Sequence, residues 1–323
     1  MTSPVPRCLF RSAALAFGAA VLLGSGPARA APKIGVLLKG DTAFWHAVEE
    51  GAKQAARKAG AEVIVRMPPS ESDIAGQVRL LNEMAGEGIA GLIIAPGSSA
   101  ALSAPVAAVA AQGVKIVVID SPLDVDMPSY IATNHTNAGM AAGQLLASLV
   151  GDRDEVSLLR HSRTGGATLL RESSAYAALC ASHPKLLVHR DIFTGTDGKE
   201  VPQARLLLQK YPGTTAVLAT GTPGSMAMLQ VLGEPGRAGH IKFVGFGFDL
   251  NPAVASAIDR GIMDGWIAQL PHDIGARGVN AMLALLQHQP VPEVIYCDFL
   301  VITKANLHDD RVQALLPAGR PGP

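Results

Sequence analysis

Two adjacent aromatic residues, Phe44 and Trp45, follow a short apolar run, Lys33–Leu38, that is typical of a buried strand. Lys39 and Asp41 lie between that run and the two rings. Aromatic residues make up only 4% of the chain, so two together at a strand-to-helix corner are unusual. Flat apolar rings beside hydrogen-bonding side chains suit a sugar or a polyol. The alternative is that both rings pack in the core at the start of a helix.

Two aspartates, Asp120 and Asp249, each follow a predicted strand in one half of the chain. In open α/β sheets, ligands bind beyond the carboxyl ends of the strands, and a carboxylate there accepts hydrogen bonds from hydroxyl groups. Asp also favours turns and helix N-caps, and Asn251-Pro252 comes directly after Asp249. Hydroxyl binding and a turn therefore both remain open for these residues.

Motifs of catalysis, nucleotide binding and metal binding are missing from the sequence. The histidines lack HxxxH or HExxH spacing, and the cysteines at positions 8, 180 and 297 lack CxxC spacing. GxGxxG, Walker A and GxSxG patterns are also absent. Without a nucleophile, base and oxyanion-donor set, the sequence predicts no enzyme, no cofactor and no metal site. Whether Cys180 and Cys297 pair is left open.

Alternating strands and helices position these candidate residues. Small residues from Phe44 to Gly60 form a thin inner helix face, which predicts close packing against a sheet. The first half continues with strands at Glu62–Arg66, Leu92–Ala95 and Lys115–Ile119, and the second half has strands at Val156–Leu159, Leu186–His189, Ala216–Ala219 and Ile241–Gly245. Strands separated by helices indicate βαβ units, so we predict two similar α/β domains with parallel sheets.

Composition supports a folded chain of two domains. The chain has 323 residues, of which 48% are apolar and 17% charged, with 27 basic and 27 acidic side chains. An apolar fraction of this size excludes global disorder. Zero net charge excludes nucleic-acid binding by bulk charge, and no basic recognition helix is present.

Residues 1–30 have the pattern of a secretory signal peptide. Arg7 and Arg11 precede an apolar run, Ala13–Leu23, which is too short to span a membrane. Ala28-Arg29-Ala30 matches the small-x-small cleavage pattern, so we expect cleavage after Ala30 and export to the periplasm.

Four segments together resemble one known family: Phe44–Gly60, Val114–Ser121, Tyr130–Gly143, and VGFGFD with the later Gly265–Val279. The sequence resembles the type I periplasmic solute-binding proteins of sugar transporters, the ribose- and galactose-binding kind, from about Pro32 to Ala305. The resemblance implies two doubly wound parallel-sheet lobes joined by a three-segment hinge, with a ligand held between them.

The resemblance also implies roles for individual residues. Phe44 and Trp45 match the paired aromatics that sandwich the sugar ring, Asp120 and Asp249 match aspartates that bind hydroxyls, and Gln269 matches a glutamine on the hinge side of the cleft. Six further candidates for the cleft are Lys39, Asp41, Arg171, Glu172, Phe193 and Thr222.

Several positions depart from the pattern of the ribose binders. Thr42-Ala43 precedes the rings where the ribose binders have Asn-Pro, and Ser121 replaces an arginine after the aspartate. The second-lobe arginine falls at Glu172, with Arg171 one place away, and Thr222-Pro223-Gly224 replaces an Asn-Asp. Because several hydrogen-bond donors that bind the sugar in the ribose binders are missing or moved here, we expect a ligand other than ribose.

The family pattern also divides the chain and suggests its partners. The first lobe would hold residues 31–133 plus 271–296, the second 134–270 plus 297–311, and residues 312–323 would form a flexible tail. Asn134, Leu270 and Asp298 mark the expected hinge. We expect a monomer that delivers a small polar ligand, a sugar or polyol, to the membrane permease of an ABC importer. The alternative is a sensory binder that signals to a membrane receptor or sensor kinase.

Overall fold

The computed structural model describes residues 32–126, 129–195, 198–235 and 240–316. The expected signal peptide and its cleavage site lie outside the described residues, as does the end of the chain from residue 317. In chain order the elements are β1 (Lys33–Leu37), α1 (Ala43–Ala59), β2 (Glu62–Arg66), α2 (Ile74–Gly86), β3 (Gly91–Ile94), α3 (Ser99–Ala110), β4 (Lys115–Ile119), β5 (Tyr130–Thr133), α4 (His135–Ala147), β6 (Glu155–Arg160), α5 (Gly166–Ser182), β7 (Leu187–Phe193), α6 (Glu200–Lys210), β8 (Ala216–Ala219), α7 (Thr222–Leu232), β9 (Lys242–Gly247), α8 (Pro252–Asp259), β10 (Gly265–Gln269), α9 (Pro271–Leu286), β11 (Val294–Cys297), β12 (Phe299–Ile302) and α10 (Asp310–Gln313).

The strands form two six-stranded sheets, so the predicted two-lobed α/β fold is confirmed. The first sheet has the order β11-β5-β4-β3-β1-β2, and all its pairings are parallel. The second has the order β12-β10-β9-β8-β6-β7, with parallel pairings except between β10 and β12. Apolar clusters cover both faces of each sheet, which explains why the central strands are continuous apolar runs. We call each sheet with its helices a lobe.

The chain passes from one sheet to the other at three places. Asn134 separates β5 of the first sheet from α4, which packs on β8, β9 and β10. Leu270 separates β10 of the second sheet from α9, which packs on β3, β4 and β5. Asp298 is the single residue between β11 and β12, and Cys297 still pairs with Thr133 in the first sheet. These are the positions expected to form the hinge.

The small residues of α1 allow close contact with α9 rather than with a sheet alone. A Cβ atom added to Gly51 would lie 2.0 Å from the backbone oxygen of His272, and one added to Gly275 would lie 1.9 Å from that of Val48. The two helix backbones therefore touch. Gly60 ends α1 in the left-handed region, at φ 64°, as its position after the small-residue pattern predicted.

The residues just after position 311 do not form a flexible tail where the structure describes them. Val312 is buried in the core of the second lobe, and Leu250 donates its backbone N–H to the carbonyl of Leu315. The apolar side chains of this segment were missed as core residues because α10 has only four residues. Cys180 and Cys297 are both free thiols. No helix in the described ranges has the length and apolar character needed to cross a bilayer.

Candidate functional site

A cavity of about 570 Å³ lies between the two lobes. Residues that follow the carboxyl ends of strands line it from both sides, as expected for open α/β sheets. Of the residues that the sequence singled out, the cavity lining includes Lys39, Phe44, Trp45, Asp120, Arg171, Phe193, Thr222 and Gln269. The volume is within the range of small-molecule sites.

The aromatic wall consists of Phe44, Trp45 and Phe248. The Phe44 ring meets the Trp45 ring edge-on at 4.8 Å between centroids, and it meets the Phe248 ring of the other lobe at 5.6 Å. Trp45 is only 2% exposed and belongs to the apolar core of the first lobe while it also lines the cavity. Trp45 is therefore a core residue with one side on the cavity, and its contact with a ligand stays a prediction.

Asp120 forms a buried ion pair with Lys39. Lys39 Nζ donates to Asp120 Oδ2 at 2.5 Å and to Ser121 Oγ at 2.5 Å. Burial alone would raise the pKa of Asp120, but the nearby charges, Lys39 foremost, outweigh it and hold the pKa at about 2. Asp120 also has a left-handed backbone, at φ 61°, which is uncommon outside glycine. Its carboxylate is ionised, buried and already paired.

A second network joins the lobes at the base of the cavity. Arg171 donates from Nε to His135 Nδ1 at 3.2 Å and from Nη2 to Gln269 Oε1 at 2.6 Å. Since an arginine only donates, His135 Nδ1 carries no proton, and its Nε2–H donates to the backbone oxygen of Asp120 at 2.9 Å. Burial and the charge of Arg171 lower the pKa of His135 to about 3, so the imidazole is neutral. The same contacts fix the Gln269 amide, whose Oε1 also accepts from Thr133 at 3.3 Å.

Glu71 and His161 form a bridge across the cavity that sequence reasoning missed. Glu71 Oε2 of the first lobe lies 3.2 Å from His161 Nε2 of the second, and Glu71 Oε1 accepts from Trp45 Nε1 at 2.7 Å. Burial would raise the pKa of Glu71, but the hydrogen bond and charge of His161 and the charge of Lys39 outweigh it and lower the pKa. His161 follows the end of β6, so inspecting every strand end would have found it. Glu71, five residues after β2, carried no such signal.

Three predicted site residues do not line the cavity. Asp41 is exposed and bonds to His46 Nε2 at 2.7 Å. Glu172 is buried but accepts from Arg160 Nε at 2.6 Å and is held away from the cavity. Asp249 is partly buried, which raises its pKa, and its backbone oxygen accepts from Trp266 Nε1. Phe248 contributes to the cavity lining in place of Asp249.

The second lobe adds an arginine-flanked ring and a helix start to the cavity. Arg160 and Arg163 lie over the Phe193 ring, with their guanidinium carbons at 4.3 Å and 4.0 Å from its centroid. Thr222 is the first residue of α7, and Gly221 precedes it at the N-cap. Within the described ranges, no group of three or more His, Cys, Asp or Glu side chains is arranged to hold a metal ion.

Comparison with known proteins extends over most of the chain. The chain is 25% identical over 307 residues to the D-allose-binding periplasmic protein of Escherichia coli, covering 88% of this chain and 96% of that protein. It is 26% identical over 263 residues to a ribose import binding protein of Salmonella typhimurium, covering 81% and 86%. An ABC transporter solute binding protein of Agrobacterium vitis bound with alpha-D-tagatopyranose superposes with a TM-score of 0.80 at 25% identity, covering 89% of this chain and 100% of that one.

Residues 34–290 match the family model described as periplasmic binding protein domain. The match includes β1 to α9, and therefore both sheets except their last strands, together with every candidate residue that lines the cavity. Because it spans well over half of the sequence, the chain belongs to the periplasmic binding protein domain family.

Proposed function

We propose that this protein captures a small polyhydroxylated ligand between its lobes and delivers it to an ABC importer. The observation that carries the proposal is the cavity itself, with an aromatic wall at Phe44, Trp45 and Phe248 facing charged groups from both lobes. Aromatic faces fit the apolar face of a sugar ring, while charged and amide groups bond its hydroxyls. The names of the relatives, which bind allose or import ribose, favour the same ligand class and favour transport over sensing.

We assign ligand contact to the cavity-lining residues among those predicted, with Trp45, Asp120, Arg171 and Gln269 as the central ones. Asp41, Glu172 and Asp249 are not part of this proposal, since they do not line the cavity. The protein acts as a binding protein rather than an enzyme, since it belongs to a family of binding proteins. We also propose that it is exported to the periplasm as a monomer after cleavage behind Ala30, so that the amino terminus of the mature protein is Ala31.

Lobe closure is the proposed mechanism, with Asn134, Leu270 and Asp298 as hinge residues. Contacts across the cavity, such as the one between Glu71 and His161, would form only when the lobes approach each other. A ligand that touches both lobes favours the closed state by its differential affinity for it. Small-angle scattering should therefore show a more compact particle when ligand is bound. An unchanged profile at saturation contradicts closure.

A thermal-shift screen of the mature protein against sugars, polyols and sugar acids tests the binding function. A ligand present at about 100 times its dissociation constant adds about 2.7 kcal/mol to the free energy of unfolding. A stabilising compound from these classes supports the proposal. Stabilisation only by amines or nucleosides contradicts it.

Two tryptophan variants test the site with a matched control. Trp45→Phe removes an Nε1–H that bonds Glu71, and Trp266→Phe removes one that bonds the backbone oxygen of Asp249. Both rings are buried, but only Trp45 lines the cavity. We expect both variants to lose stability and only Trp45→Phe to lose ligand affinity in calorimetry. Equal affinities in both would remove Trp45 from the site.

A further inference from the structure

Arg171 is a buried cation whose hydrogen-bond partners are all neutral. The residue is 4% exposed, and it donates to His135 Nδ1, to the backbone oxygen of Thr220 at 3.2 Å and to Gln269 Oε1. Within the part of the chain that the structure describes, it forms no ion pair. Buried charges in proteins are generally paired with an opposite charge. Because Arg171 lines the cavity, a ligand could supply that charge.

The other acidic groups of the cavity are already engaged. Asp120 is paired with Lys39, and Glu71 is bonded to His161 and to the Trp45 ring nitrogen. The cavity lining therefore holds three Lys or Arg side chains, the third being the exposed Arg163, against two carboxylates. The walls carry a surplus of one positive charge. The negative charges of Asp120, Glu71 and Glu172 act on Arg171 from a distance, but none of these carboxylates forms an ion pair with it.

The start of α7 lies beside Arg171 and adds donors to the same corner. Gly221 occupies the N-cap without a capping side chain, and both it and Thr222 line the cavity. His161, already bonded to Glu71 through Nε2, lies next to this helix start, since a Cβ atom on Gly221 would lie 3.2 Å from His161 Nδ1. Helix N-termini favour anions, and Arg171 holds the carbonyl of Thr220 in the same loop.

We propose that this corner, formed by Arg171 and the start of α7 at Gly221–Thr222, binds a carboxylate, and that the ligand is a sugar acid rather than a neutral sugar. The inference rests on the proposed function and narrows its ligand class. A carboxylate supplies the direct ion pair that Arg171 lacks and accepts from the two guanidinium N–H groups that its three protein partners leave over. One negative charge also matches the surplus of one positive charge better than a phosphate ester does. The hydroxyl-bearing part of the ligand then faces the aromatic wall.

Titration calorimetry with matched ligand pairs tests the inference on the wild-type mature protein. The pairs are D-galacturonate with D-galactose and D-gluconate with D-glucitol. In each pair the acid has a carboxylate where the neutral compound has a hydroxymethyl group. We expect the acid of at least one pair to bind ten times more tightly or better, a difference of about 1.4 kcal/mol. Tighter or equal binding of the neutral member in both pairs overturns the inference and leaves the proposed function intact. Failure of these compounds and of every other sugar to bind refutes the proposed function, and this inference with it.

Charge-removing variants then locate the carboxylate. Arg171→Gln should reduce the acid-to-neutral affinity ratio to about two or less, while Arg190→Gln, which removes an exposed charge from the same lobe outside the cavity, should leave it unchanged. Arg171→Lys, which keeps the charge but loses the planar guanidinium, serves where Arg171→Gln fails to fold. It should also lower the ratio. A ratio that stays as in wild type in the Arg171 variants overturns the assignment of the corner.

Discussion

Acid should destabilise this protein through His135, a histidine that is buried in its neutral form. His135 is 2% exposed, and it lies between the guanidinium of Arg171 and the backbone oxygen of Asp120. Burial, helped by the charge of Arg171, lowers its pKa from an ordinary 6.5 to about 3. In the unfolded chain this imidazole takes up a proton as the pH falls below 6.5. In the folded protein it cannot take up a proton at Nδ1 without losing the hydrogen bond from Arg171.

The sign and size of the effect follow from this difference. Between pH 6.5 and about 3 the unfolded state binds one proton more than the folded state, so the free energy of unfolding falls as pH falls. The stabilisation is complete above pH 6.5 and is lost at about 1.4 kcal/mol per pH unit. Over the whole interval the loss is on the order of 5 kcal/mol, a large part of the stability of a typical domain. Asp120, with its pKa of about 2, adds a loss of the same sign below pH 3.8.

Urea unfolding at a series of pH values measures this slope. We compare wild type with His135→Gln, which places a neutral amide at the site, and with His308→Gln, which changes an exposed histidine. His135→Gln should be less stable at neutral pH, but between pH 6.5 and 4.5 it should lose about 2.7 kcal/mol less than wild type. His308→Gln should follow wild type. Parallel curves for wild type and His135→Gln would refute the reasoning, as would an NMR titration of the wild-type His135 ring with a midpoint above pH 5.

Three further predictions concern packing, reactivity and the buried ion pair. Gly275→Ala should destabilise the protein by about 1–3 kcal/mol or more in urea unfolding, because the added methyl group meets the α1 backbone, whereas Gly86→Ala, with open space around it, should be neutral or stabilising. Burial raises the pKa of the Cys297 thiol to about 12, so Cys297 should react with a thiol reagent only after unfolding, and fast labelling of a native Cys180→Ser variant, which keeps only this thiol in the mature chain, would contradict this. Asp120→Asn leaves Lys39 buried without its counter-charge and should cost about 3–5 kcal/mol. A Lys39→Met/Asp120→Asn double variant that is no more stable than the single variant would show that the unpaired charge is not the cause.

The sequence predicted the helices and strands better than it predicted the contacts between them. The pattern of small residues from Phe44 to Gly60 located α1 to within a residue. Both signals are local in sequence, because one is the helical periodicity of the small residues and the other is the glycine that ends the helix in a left-handed conformation. Its packing partner was not predictable, because α9 comes more than two hundred residues later and only Gly51 and Gly275 in register bring the backbones together. Strand ends likewise identified Lys39 and Asp120 as neighbours of the cavity without indicating that they pair.

The residue Asp249 shows where inspecting strand ends fails. Consecutive side chains beyond a strand end point in different directions, so a shift of one residue exchanges Phe248 for Asp249 at the cavity. Asn251, not Asp249, caps α8 by accepting from Val254 N at 3.0 Å, so Asp249 lies in the bend between β9 and α8, which was the competing interpretation. The pairing of Glu71 with His161 was not predictable for another reason, since each belongs to a different lobe and their contact depends on the tertiary fold alone.

The position of β11 and β12 in the chain has a consequence for folding during synthesis. β11 forms one edge of the first sheet and β12 one edge of the second, and the two strands are separated only by Asp298. The ribosome must therefore synthesise the chain to about residue 302 before either sheet is complete, and α1 must wait for α9. Such distant pairings slow folding and leave β5 and β10 as open edges that can pair wrongly in the nascent chain. A chaperone that protects these two edges would therefore be most useful before residues 294–302 emerge.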